Sequence, residues 1–375
     1  MATIQLDERK MEAAVLGGAV LGGGGGGWIE DGLQLGRLAL AVGHPRLVTL
    51  DELADDATIV TVSLVGAPAA PDKYVKPVHY LRVLELLAER MGRAIDGIIT
   101  NENGASTTIN GWFQSAVTGI PVVDAPCNGR AHPTGSMGSM NLSERPDYVS
   151  VQAAAGGRSG HYLELAVSGP LDKVSSIIRT VSVSAGGMVA VARNPVPASY
   201  VSENGAPGAI QHAIQVGEVL LAHEGEKAID AVASMLGGSV IAAGEVTGFQ
   251  LETTGGFDVG RVIVGGCELT FWNEYMTAEI DGKRLATFPD LIMTFDAKSG
   301  RPLVSAAVAT GQNVAVLVVP KENLRLGATM RNKRLIQPIE GIIGKPVLPY
   351  VFGDKENEEA TGDVSETDAD GLRNA

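Results

Sequence analysis

A chain of 375 residues is long enough for about two domains. It carries 29 Lys+Arg against 43 Asp+Glu, a net charge of −14, and an acidic surface repels phosphate backbones, which excludes nucleic-acid binding as the main activity. A hydrophobic share of 45% supplies a large core, while 48 glycines, about 13% against a usual level near 7%, signal many tight backbone turns.

Met1 to Lys10 is polar and has no charged-then-apolar leader pattern. Met11 to Leu21 is apolar but too short to span a bilayer, and it runs into the glycine stretch Gly22 to Gly27. Thr58 to Val65 is a β-branched run of strand length. Tyr80 to Met91 sets Leu81, Val83, Leu84, Leu86 and Leu87 on one broad helical stripe with charges opposite. Asp96 to Thr100 and Pro121 to Asp124 read as short buried strands, each followed by a polar loop. This rhythm predicts an α/β N-terminal domain with a parallel or mixed sheet and helices on its faces.

A strand at Leu163 to Val167 and helices over Leu171 to Arg179, Ala209 to His223 and Lys227 to Leu236 continue the alternation. After Gly237 the character changes. Ser239 to Ala243, Arg261 to Val264, Leu269 to Phe271, Leu291 to Phe295 and Val314 to Val319 are strand-like, with Gly, Asp and Asn between them. The expected division is an α/β domain over 1–165 and a β-rich C-terminal domain over 166–352, its wholly β part beginning near 237. Residues 353–375 form an acidic tail, and from Asp354 on it holds 8 acids and 2 bases without apolar periodicity, the composition of a disordered segment. Cys127 and Cys267 cannot build a disulfide framework, which fits a reducing cytoplasm.

Three segments can carry chemistry. The glycine stretch lets a backbone turn tightly and approach a ligand, so Gly24, Gly25 and Gly26 are candidates to face one. It lacks the Lys of a phosphate-binding loop, so no nucleotide cofactor is expected. Asn101 to Met140 is the densest region, with Glu102, Asp124, Cys127, Arg130 and His132 on two loops that each follow a strand. In α/β sheets such loops converge on one ligand crevice. Cys, His and carboxylates together offer a metal site or a nucleophile with an acid/base partner. The third group, Asn273 and Glu274 followed by Asp290, places polar residues inside strand-like runs.

The glycine-rich opening, GIPVVDA with a following GRA, the NEYM run at Asn273 to Met276, the later Pro289-Asp290 and the NVAVLVVP strand together resemble the DUF917 family. This is the S-methyl thiohydantoin desulfurase family, associated with hydantoinase gene clusters. The similarity spans about residues 11 to 352. It implies an α/β domain joined to a β-rich one, and hydrolytic removal of methanethiol from an S-methylated thiohydantoin ring. The chain departs from the expected D-A-D-x-x-G-R-A-x-P pattern, because Pro126 and Cys127 follow Asp124-Ala125.

That chemistry needs an activated water, a proton donor for the leaving sulfur and groups gripping the ring. A zinc-bound water held by Cys127, His132 and a carboxylate, Asp124 or Glu102, is one route. Direct attack by the Cys127 thiolate with His132 assisting is the other. Arg130 would orient a ring carbonyl or a carboxylate on the substrate, with Asn273, Glu274 and Asp290 reaching in from the second domain. The partner expected is a small cyclic ureide-like molecule, with no membrane or nucleic acid and with room for a homo-oligomer. The competing reading is a non-catalytic accessory subunit of a hydantoinase-type protein partner.

Overall fold

The structure is a computed structural model describing residues 4–66, 70–254 and 257–353; the acidic tail from Asp354 lies outside them. The first eight strands are β1 (Ile4–Gln5), β2 (Arg46–Val48), β3 (Thr58–Gly66), β4 (Gly97–Thr100), β5 (Val122–Val123), β6 (Ser150–Gly156), β7 (Leu163–Gly169) and β8 (Met188–Pro197). They form one mixed sheet in the order β1-β2-β5-β4-β3-β8-β6-β7. Strands β2, β5, β4 and β3 run parallel. The others add on antiparallel.

Among the described residues, eight α-helices belong to this half of the chain: α1 (Glu8–Leu21), α2 (Ile29–Val42), α3 (Pro77–Met91), α4 (Trp112–Thr118), α5 (Leu171–Ser184), α6 (Ala198–Asn204), α7 (Ala209–Leu221) and α8 (Glu226–Leu236). The apolar stripe of α3 buries Val83, Leu84 and Leu87 against Val60, Val62 and Ile98 of the sheet. Pro opens α3, where its missing N–H costs nothing, and Gly92 ends it in the left-handed conformation. Helix α1 is buried from Ala13 to Leu21, and its glycines have a packing role. A Cβ on Gly17 would lie 1.8 Å from the Ala213 carbonyl oxygen of α7, and one on Gly217 only 1.9 Å from that of Ala13. The two backbones touch there, so part of the glycine excess is close helix packing.

The second sheet is antiparallel throughout. It contains β9 (Ser239–Thr254), β10 (Phe257–Val264), β11 (Cys267–Trp272), β12 (Glu274–Ile280), β13 (Lys283–Thr287), β14 (Leu291–Asp296), β15 (Pro302–Leu303) and β16 (Asn313–Val319). Their order is β13-β12-β11-β10-β9-β16-β14-β15. The long β9 serves both halves, pairing with β16 through 239–245 and with β10 through 246–254. Three short helices, α9 (Lys333–Ile336), α10 (Pro338–Ile343) and α11 (Leu348–Phe352), pack near Trp272 and Phe288.

The fold is therefore a mixed sheet with helices followed by an antiparallel β region. A shared core binds them, since α1, α7 and α8 pack Leu16, Val20, Val216, Ile229 and Val232 against Leu291, Met293, Leu317 and Val319. Among the described residues no helix is long and apolar enough to cross a membrane.

Candidate active site

Between the two sheets lies a cleft of about 1180 Å³. Its wall includes Gly24 to Gly27, Asn101, Glu102, His132, Arg193, Asn273, Glu274 and Ser305. Glu102 sits just beyond the carboxyl end of β4, and His132 lies on the loop after β5, the crevice position expected of a sheet with parallel strands.

Glu102 and His132 form the central pair. The Glu102 Oε2 lies 3.3 Å from the His132 Nε2 and accepts from the His132 backbone N–H at 3.1 Å. Both side chains are buried. Burial pushes the Glu102 carboxyl up to about 8 and the His132 imidazole down to about 4. The pair is thus held largely without net charge at neutral pH.

Glu274 enters from the other sheet. Asn273 before it adopts a left-handed φ of 57°, and its side-chain oxygen accepts from the Asp258 N–H at 2.9 Å. The Glu274 carboxyl is pushed well above its ordinary range, first by burial and then by the charge of Glu102. Its Oε2 has no hydrogen-bond partner among the described residues. Burial is the first cause for both carboxyl groups, since it disfavours the charged form of each.

The glycine loop makes this approach possible. A Cβ on Gly25 would stand 1.9 Å from the Glu274 Oε1. Gly24 and Gly26 adopt φ of +95° and +78°, which favours glycine. The loop carbonyls tie three segments together. Gly23 accepts from the Tyr275 N–H at 2.8 Å, Gly24 from the Ser305 N–H at 2.8 Å, and Gly26 from the Ser106 N–H at 3.0 Å.

Arg130 lies behind the cleft wall, fully buried. Its Nη1 donates to the carbonyls of Pro289, at 3.0 Å, and Asp290, and its guanidinium lies 4.5 Å from the centre of the Phe288 ring. Burial brings its pKa down to about 10, so it remains a cation beside Glu274 and Glu102. Asp290 takes a structural position: its carboxylate accepts from the backbone N–H groups of Thr287 and Lys321. Arg130 and Asp290 thus join the two sheets rather than line the cleft.

Two expected site residues stand elsewhere. The Asp124 carboxylate accepts from the Ile210 N–H at 2.7 Å and the Gln211 Nε2 at 2.7 Å, at the start of α7. That helix begins at Gly208, which has no capping side chain of its own, so Asp124 supplies the cap. Cys127 is fully buried with its Sγ 3.3 Å from the Thr61 Oγ1, and burial pushes its thiol up to about 11. A buried, protonated thiol is a poor nucleophile. The zinc set of Cys127, His132 and Asp124 does not fit this arrangement, because two of its three donors are committed outside the cleft. Among the described residues no group of three His, Cys, Asp or Glu side chains is placed to hold a metal ion.

Arg193 also lines the cleft, although nothing in the sequence marks it. It lies in β8, is 5% exposed, and its Nε has no partner among the described residues. A lone arginine in a strand carries no motif, and β8 itself falls between the strand and helix patterns read from the chain.

A mixed α/β sheet facing an antiparallel sheet, with an acid–histidine pair at their junction, defines a two-domain fold with an enclosed polar centre. Residues 9–161 match the profile of the S-Me-THD-like N-terminal domain and residues 170–331 that of the S-Me-THD-like C-terminal domain. The chain belongs to this S-Me-THD-like family. No curated protein matches it significantly. Among solved structures, the X-ray structure of a protein from Chromobacterium violaceum is similar, with a TM-score of 0.66 and 22% identity over 90% of this chain and 96% of that one. At that identity the likeness speaks for the fold.

Proposed function

We propose that the protein is a hydrolase that removes methanethiol from an S-methylated thiohydantoin or a closely related cyclic ureide. The observation that carries this reading is the pairing of Glu102 with His132 in a cleft that Glu274 also lines from the other sheet, in a chain of this family. The ring carbon bearing S–CH3 is flanked by nitrogen and is electrophilic. Neutral His132 accepts a proton from the attacking water, and the Glu102 carboxyl and the Asn101 carbonyl beside its Nε2 orient the ring. The water oxygen bonds to the ring carbon. As the C–S bond breaks, Glu274 delivers its proton to the departing sulfur, releasing methanethiol, and the hydroxyl left on the ring carbon passes its proton to the ring nitrogen to give the carbonyl. The proton on His132 then returns to Glu274 through the product or solvent. Arg193 supplies a cation to the negative charge that develops on the ring.

Methanethiol release from S-methyl thiohydantoins by the purified protein tests the reading. H132A and E274Q are expected to lower kcat by about 10²–10⁴, the usual worth of a positioned acid or base. A wild-type protein that releases no methanethiol, or variants that release it at the parental rate, would overturn it.

A further inference from the structure

The cleft is larger than the reaction proposed above requires. Clefts that take drug-sized ligands measure roughly 300–1,000 Å³, and this one reaches about 1180 Å³, whereas a five-membered ring with a thiomethyl group has only a handful of heavy atoms. Glu102, His132, Glu274 and Arg193 occupy its junction between the sheets. The remainder has two sides: one is lined by α5, with Ser175, Arg179 and Thr180, and the other extends over α2, the end of β3 and the start of α3, where Trp28, Leu35, Leu38, Leu64, Tyr74 and Tyr80 line it.

These six side chains are half-buried, in contrast to the fully packed faces of the same elements. On α2, Leu33, Gly36 and Ala39 turn to the core, while Leu35 and Leu38 stand at its edge and line the cleft. On β3, Val60 and Val62 are buried, whereas Leu64, farther along, is left half-open. The aromatic share is high for this chain: three of the six are Trp or Tyr, against 5% aromatics overall. The charged side chains of this arm are Asp31 and Lys73. The cationic side chains Arg179 and Arg193 belong to the α5 and β8 side.

We infer that this apolar arm receives a hydrophobic, preferentially aromatic, substituent on the substrate ring, so that the preferred substrates are rings built on apolar amino acids. Such a substituent removes its own surface and that of the arm from water while the ring stays at Glu102, His132 and Glu274. The arm is continuous with the reaction centre, and burying one aromatic side chain improves binding by about tenfold or more. The inference rests on the ring chemistry proposed above, but its binding test does not require turnover.

Calorimetry on the full chain with hydantoin, benzyl-substituted hydantoin and carboxymethyl-substituted hydantoin provides that test, together with methanethiol release from the corresponding S-methyl thiohydantoins. The benzyl ring is expected to bind at least about tenfold more tightly than the unsubstituted one. L38R, and independently Y74A, should bring that ratio toward one, with melting curves confirming that each variant folds. Equal binding of the benzyl and unsubstituted rings, tighter binding of the carboxymethyl ring, or an unchanged ratio in both variants would overturn the inference. A benzyl preference that L38R erases, without methanethiol release, would leave the inference standing and remove the desulfurising reading. Release at equal rates and equal affinities from all three rings would do the reverse.

Discussion

Glu102 takes up a proton on folding that the unfolded chain would release. Its folded value of about 8 lies above the ordinary 4.5, so the folded state binds more protons and stability falls as pH rises through that interval. His132 works in the opposite sense, because its folded value of about 4 lies below the ordinary 6.5 and stability rises with pH between those limits. The two effects oppose below pH 6.5; above it the Glu102 contribution is left, reinforced by Glu274, which shifts in the same direction. Chemical denaturation between pH 6.5 and 8 should therefore show declining stability, with a slope of up to about 1.4 kcal/mol per pH unit for one proton. E102Q should make that slope shallower. A wild-type stability that is flat or rising across this window would contradict the assignment. Cys127 gives a second residue-scale prediction. C127S preserves a hydroxyl partner for Thr61 but removes the thiol, and methanethiol release should stay within about twofold of the parent. A loss of two orders of magnitude would restore the cysteine as a nucleophile or ligand.

The elements themselves were largely legible in the chain. The stripe of Tyr80 to Met91 lies within α3, and the β-branched run Thr58 to Val65 within β3, because periodicity reports which face a neighbouring layer covers. The candidate site was legible in part. Glu102 and His132 meet in the cleft, as loops after parallel strands imply, and Glu274 joins them from the second sheet, but Asp124 and Cys127 do not. Spacing places five polar residues on adjacent loops without telling which turn toward the cleft, and the partner that claims Asp124 lies 86 residues away at Ile210. The replacement D124A would leave the first N–H groups of α7 buried and unpaired. It should destabilise the protein by about 1–3 kcal/mol in urea unfolding, with His132 and Glu274 chemistry intact. Loss smaller than about 0.5 kcal/mol would show that the cap is dispensable.

At the level of the whole molecule, the two sheets share bonds as well as a core. Arg130 donates to carbonyls 159 and 160 residues away, the Asn128 Oδ1 accepts from the Gly327 N–H at 3.0 Å, and Gly23 and Gly24 receive Tyr275 and Ser305. With α1, α7 and α8 packed against β14 and β16, neither half keeps its buried surface when the other opens. Calorimetric melting should therefore give one transition. Two well-separated transitions would show that the halves unfold independently.

The three carbonyls of the glycine loop have one more consequence, in the order of events during synthesis. Helix α1 and its loop leave the ribosome early, yet the groups that receive Gly23 and Gly24 are near residues 275 and 305. Until those residues are translated, the loop has no anchor on its far side, Arg130 lacks its carbonyl partners, and Glu274 does not exist. The cleft wall proposed above as the reaction centre thus closes only once the chain has been made past residue 305, and a fragment that stops before Glu274 carries the histidine without the carboxyl group from the second sheet.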